Sequence, residues 1–163
     1  MSKHTKFRIF AFQKLTYRLF TILLCLGISQ FSTASEQKPF AEKHVILQLS
    51  DSDPSKYTAI LDISNNLIKH YKGPDFIDIE VIGFGRGVEV YFADKNGEAN
   101  PNKQRISSLI NNGVRFYVCL NTLDTIQRKT GNRPELLEGI IGVQTGVAFM
   151  LEEVTNGYTH IHP

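Results

Sequence analysis

Within this 163-residue chain, the residue best suited to chemistry is Cys119, which ends the apolar run Val114-Arg115-Phe116-Tyr117-Val118 and precedes Leu120-Asn121-Thr122. The only other cysteine, Cys25, lies in an apolar N-terminal stretch, so the folded body has one thiol and no internal disulfide. A thiol acts as a nucleophile through its thiolate, which the free N–H groups and partial positive charge of a helix N-terminus favour. A strand ending at Cys119 and a helix capped by Asn121 or Thr122 would provide those donors. They would equally favour a persulfide or sulfenate anion. The competing reading is a small hydrophobe closing a core strand, because unpaired cysteine is among the most buried residue types.

Other residues of chemical type are read as follows. Gly83-Phe84-Gly85-Arg86-Gly87 follows the second strand of the chain, and its third glycine comes one position early for a dinucleotide fingerprint. It is read as a tight turn that brings Arg86 toward Cys119 as a cation for a sulfur anion. His160 and His162 would share one strand face, but two ligands fall short of the four that structural zinc uses. Asp51, Ser52 and Asp53 read as capping residues, and no serine lies in a G-x-S-x-G elbow. The sequence thus assigns Cys119 as the catalytic candidate, with Asn121, Thr122 and Arg86 as sulfur- or anion-binding support, and calls for no metal and no cofactor.

These residues require a scaffold, and the chain alternates in type. Lys43 to Ser50 has the length of a strand. Ser52-Asp53-Pro54 opens a helix of about seventeen residues, whose stripe Tyr57, Ile60, Leu61, Leu67, Ile68 and Tyr71 stops at Gly73-Pro74. A second strand lies between Phe76 and Phe84, and Val88 to Phe92 forms a short turn or helix. Asn96-Gly97 marks a loop. A helix from Pro101 to Ile110 precedes the strand ending at Cys119, and another helix spans about Asn121 to Lys129. Ile140 to Val143 reads as a fourth strand, Thr145 to Val154 as a helix closed by Asn156-Gly157, and the last six residues as a fifth strand. Such alternation implies crossover connections and a mainly parallel sheet.

The first 35 residues are read as a secretory signal peptide: five Lys/Arg and no acid, an apolar core from Leu19 to Ile28, then Ser32-Thr33-Ala34-Ser35. The alternative is an uncleaved anchor, although the apolar core is about half the length a spanning helix needs. Residues 36–163 then form a single domain, periplasmic or secreted, with no stable membrane insertion after cleavage. They carry thirteen basic against sixteen acidic residues, a net charge of −3, so the basic excess of the whole chain belongs to the leader. A mildly acidic body with no basic cluster argues against a nucleic-acid partner.

The opening KHVILQLSD with its long helix, the FGRGV segment, the GVRFYVCLNTL element and the closing IIGVQTGVAFMLEEVTNGYTHIHP together resemble the DsrE/DsrF-like proteins over about Lys43 to Pro163. The resemblance implies an α/β fold: a single three-layer, flavodoxin-like domain with a mainly parallel sheet of about five strands. It also implies a homo-oligomer, trimer or hexamer, and in the sulfur-relay branch a persulfide-carrying cysteine that maps onto Cys119, working with a sulfur-donor or acceptor protein. Relay members are cytoplasmic, whereas this chain reads as exported, and a lone thiol has no resolving cysteine. The alternative function is a non-catalytic oligomeric protein that binds a small ligand or another protein.

Overall fold

Five short strands come together as one parallel sheet, and the first four of them end at a glycine or shortly before a helix. The computed structural model describes residues 37–95 and 97–163; the signal-peptide reading and Cys25 lie outside them. The strands are β1 (Lys43–Leu49), β2 (Ile77–Gly83), β5 (Arg115–Cys119), β6 (Ile140–Val143) and β7 (Thr159–Ile161), with a separate two-stranded hairpin of β3 (Asp94–Lys95) and β4 (Glu98–Ala99). Their spatial order is β6-β5-β2-β1-β7, every neighbouring pair parallel. The layers are those of flavodoxin-like folds, while the order differs from the flavodoxin order 2-1-3-4-5.

The helices follow from their caps and stripes. In α1 (Pro54–His70), Asp53 Oδ1 accepts the Ser55 N–H at 2.8 Å, Pro54 occupies the first turn, and Tyr57, Ile60 and Leu61 are buried. α2 (Lys103–Asn111) buries Ile106 and Leu109, α3 (Leu120–Thr130) buries Leu123, and α4 spans Gly146–Thr155. The stretch expected as a turn or short helix is a 3-10 helix over Gly85–Tyr91. The hairpin surrounds the expected loop at Gly97 and is anchored by Asn100, whose Nδ2 donates to the carbonyls of Val90 (2.7 Å) and Phe92 (2.6 Å).

Side chains alternate across the sheet and divide the core in two. Val45, Leu47, Ile79, Val81, Phe116 and Val118 face α1, α2, α3 and the 3-10 helix. Ile46, Ile82 and Tyr117 face the opposite way, where Phe149 and Met150 of α4 cover them together with Tyr158. The asymmetry follows from topology. From β1 through β2 and β5 to β6 the chain steps in one direction, so right-handed crossovers place their helices on one face; the return from β6 to β7 places α4 on the other. The chain therefore leaves β5 and β6 toward opposite faces, which opens a crevice between their carboxyl ends. Cys119 pairs with Val143 at that point.

A charged group lies within the α4 face, toward the amino ends of the strands. Asp78 and Glu80 are fully buried. Arg115 Nη2 donates to Asp78 Oδ2 (2.9 Å), Glu80 Oε1 (3.1 Å) and the Tyr158 hydroxyl (2.9 Å). Tyr158 donates in turn to Asp78 at 2.7 Å, and Tyr117 to Glu80 at 3.2 Å. Burial alone would raise the Asp78 carboxyl, but hydrogen bonds from Arg115 and Tyr158 hold it below the ordinary carboxylate value. Glu153, reaching the same cluster from α4, is pushed up by burial and by the negative charge of Glu80.

Candidate functional site

Cys119 is the last residue of β5 and the N-cap of α3. The sequence points to Asn121 or Thr122 as the cap; in the fold they are the second and third residues of the helix, and the cysteine itself holds the cap position. Its sulfur therefore sits where a serine or aspartate oxygen would accept the N–H groups of N2 and N3.

Four donors converge there. Burial raises the Cys119 thiol, but the Thr122 hydroxyl and the N–H groups of Gly146, Thr122 and Asn121 outweigh it and hold the thiol below its ordinary value. Two helix N-termini thus meet at one sulfur: α3 contributes Asn121 and Thr122, and α4 contributes Gly146. When protonated, Sγ lies 3.8 Å from the Gln144 carbonyl and donates to it. The residue is 6% exposed. Its close neighbours explain why: a Cβ on Gly146 would stand 3.1 Å from Cys119 Cβ and 3.3 Å from Phe84 Cβ. Glycine there lets the start of α4 press against the sulfur.

Thr122 is tied to the glycine segment, since its Oγ1 accepts the Gly85 N–H at 3.2 Å. The role expected for Arg86 is not met. The 3-10 helix carries its side chain out to solvent, 76% exposed, with Nε 3.5 Å from Glu89 Oε1, so it is not among the groups that act on the Cys119 sulfur. The glycines themselves do form the tight turn: Gly85 has the positive φ (+55°) it requires, and Gly87 allows close packing, since a Cβ there would stand 2.0 Å from the Leu49 carbonyl oxygen. His160 shares a hydrogen bond with Gln48 (2.8 Å), and His44 Nδ1 lies 3.5 Å from Asp78.

Gly146 and Gln144 were not singled out from the sequence. The signal was present in Thr145-Gly146, at the start of a helix following a strand, but its relevance to Cys119 depends on β6 being the neighbour of β5. Asn121 also differs from expectation. Its backbone N–H donates to the Gln144 carbonyl (3.2 Å) and contributes least of the four donors to lowering the Cys119 thiol, whereas its side chain bonds Gln144 and Thr145.

Comparison with known proteins agrees with this architecture. The chain is similar to a protein of unknown function, MTH1491, from Methanobacterium thermoautotrophicum, with 28% identity over 75% of this chain and 100% of that one and a TM-score of 0.62. It shares its fold with the ychN protein of E. coli at 15% identity, covering 74% of this chain and 99% of that one with a TM-score of 0.54. A comparison with curated proteins gave no match. The model of the DsrE/DsrF-like family matches residues 43–162, nearly all of the described domain, and the chain belongs to that family.

Proposed function

We propose that this protein carries sulfane sulfur on Cys119 as a persulfide in an exported, oligomeric domain. The observation that carries the reading is the convergence of the Thr122 hydroxyl with N–H groups from two helix N-termini on one sulfur. The Cys119 thiolate attacks the outer sulfur of a donor persulfide or polysulfide; a new S–S bond forms, the donor's S–S bond breaks, and its electron pair leaves with the donor as a thiolate. No net oxidation occurs. The extended anion gains from the same donors, and transfer to an acceptor repeats the exchange in reverse. Because the folded body has one thiol, turnover needs an external partner.

The test is intact-mass measurement after incubation with inorganic polysulfide. The reading requires a gain of sulfur atoms that thiol reductant reverses and Cys119→Ser abolishes. A protein whose thiol alkylates in the native state yet gains no sulfur would end it.

A second reading, a non-catalytic binding protein, is favoured by the 6% exposure of Cys119 and by the uncovered apolar stripe Val147, Leu151 and Val154 on α4. That stripe also supports the homo-oligomer, a trimer or hexamer, since association removes apolar surface from water. Light scattering at micromolar concentration tests it, and a monomer mass would reject it. Export is checked by the intact mass of protein recovered from the periplasm or medium, which should lack the leader.

A further inference from the structure

The side chain of Asn121 bridges the two chain segments that enclose the sulfur. Its Nδ2 donates to Thr145 Oγ1 at 3.0 Å, and its Oδ1 accepts the Gln144 Nε2 at 2.6 Å. Asn121 belongs to α3, while Gln144 and Thr145 form the turn from β6 into α4. The backbone makes the same link, Asn121 N–H to Gln144 O at 3.2 Å. The next residue is Gly146, whose N–H serves the sulfur and whose Cα presses on Cys119 and Phe84. Both polar atoms of the Asn121 carboxamide are thus engaged with the β6–α4 turn.

Resting on the reading of Cys119 as a sulfur carrier, we propose that Asn121 is a positioning residue: its side chain latches the β6–α4 turn over Cys119, and release of this latch admits the second sulfur atom. A persulfide extends beyond Sγ by one S–S bond, into space bordered by the Gln144 carbonyl and Gly146. With Cys119 6% exposed, that turn must move outward for the outer sulfur to be accommodated. The two carboxamide bonds are exposed and compete with water, so they yield before the buried contacts of the sheet. Closed, the latch holds the Gly146 donor in place; open, it exposes the thiol. One side chain therefore ties acidity and access together.

The experiment is the pH dependence of iodoacetamide alkylation of the folded, leader-free protein, which yields a midpoint and an alkaline plateau. Asn121→Ala keeps the backbone N–H and removes both side-chain bonds; Thr145→Val removes one bond from the opposite side without touching α3. The expected result is a plateau several-fold faster in both variants, with the midpoint moved upward as the Gly146 donor is loosened. Combining them should add little, since both open one latch. A raised midpoint with an unchanged plateau in Asn121→Ala, and no effect of Thr145→Val, would overturn the proposal by making Asn121 a direct sulfur ligand. So would a rate that follows global unfolding, measured in parallel by circular dichroism. Alkylation needs no sulfur transfer, so polysulfide loading can fail, ending the carrier reading, while the latch is still decided.

Discussion

Thr122 links Cys119 to the glycine turn: its hydroxyl donates to the cysteine sulfur while its oxygen accepts the Gly85 N–H at 3.2 Å. Held by a backbone donor, the hydroxyl is placed to give its proton to the sulfur. Such preorganisation makes a weak sulfur acceptor worth a donor. The Thr122→Val variant keeps the shape and removes that proton. Its alkylation near neutral pH should fall several-fold and recover at alkaline pH, where the thiol ionises unaided. An unchanged profile would show that the backbone N–H groups suffice.

Gly146→Ala tests the contact from the other helix. The added methyl would meet Cys119 Cβ at 3.1 Å and Phe84 Cβ at 3.3 Å, so the start of α4 must shift away from the sulfur. We expect destabilisation of about 1–3 kcal/mol in thermal unfolding, as for other overpacked sites. Alkylation should require a higher pH, because the Gly146 donor is displaced.

Arg115 is the cation of the buried cluster on the α4 face. Replacing it with Met leaves Asp78 and Glu80 fully buried without it, and removing one partner of such a group costs about 3–5 kcal/mol. Asp78 is held below its ordinary value in the folded state, so its contribution is present above the unfolded carboxylate pKa and is lost as pH falls through the folded one. Denaturant unfolding should therefore show the Arg115→Met penalty shrinking toward acid pH.

Glu153 has the opposite sign. Its carboxyl is raised in the fold, so folding binds the proton, and stability falls as pH rises from the ordinary glutamate value through the raised one. Glu153→Gln should be more stable than the parent at neutral pH and should lose that advantage below the ordinary glutamate pKa. Equal stability at all pH values would show that Glu153 is not restrained near Glu80.

The elements were legible where local signals agree. Asp53-Pro54 and the stripe from Tyr57 to Ile68 define α1, which spans Pro54–His70 as its cap and stop predict, and Ile140–Val143 is the strand its run suggests. The hairpin at Asp94–Ala99 was not legible, because two-residue strands carry no periodicity and their position depends on Asn100 reaching back to Val90 and Phe92. Asp78 and Glu80 escaped notice for a related reason. In an alternating strand, polar residues suggest a solvent face, and only the arrival of Arg115 and Tyr158 from distant segments makes their burial tolerable. In the site, Cys119 and Thr122 could be read from the helix start that follows β5. Gly146 could not, since its place beside the sulfur is set by strand order.

The pairing of β7 with β1 has a consequence for the order in which the molecule can be completed. Thr159, His160 and Ile161 lie beside Val45, Ile46 and Leu47, more than a hundred residues earlier in the chain. During synthesis β1 leaves the ribosome early and has β2 available soon after, but its other edge waits for β7, and Asp78 waits for the Tyr158 hydroxyl. Distant pairings of this kind close late, after their loop entropy has been met. A nascent chain stopped short of Tyr158 exposes an apolar strand edge and an unfinished ion cluster together, so elongation leaves the sheet unsealed until its final strand is free.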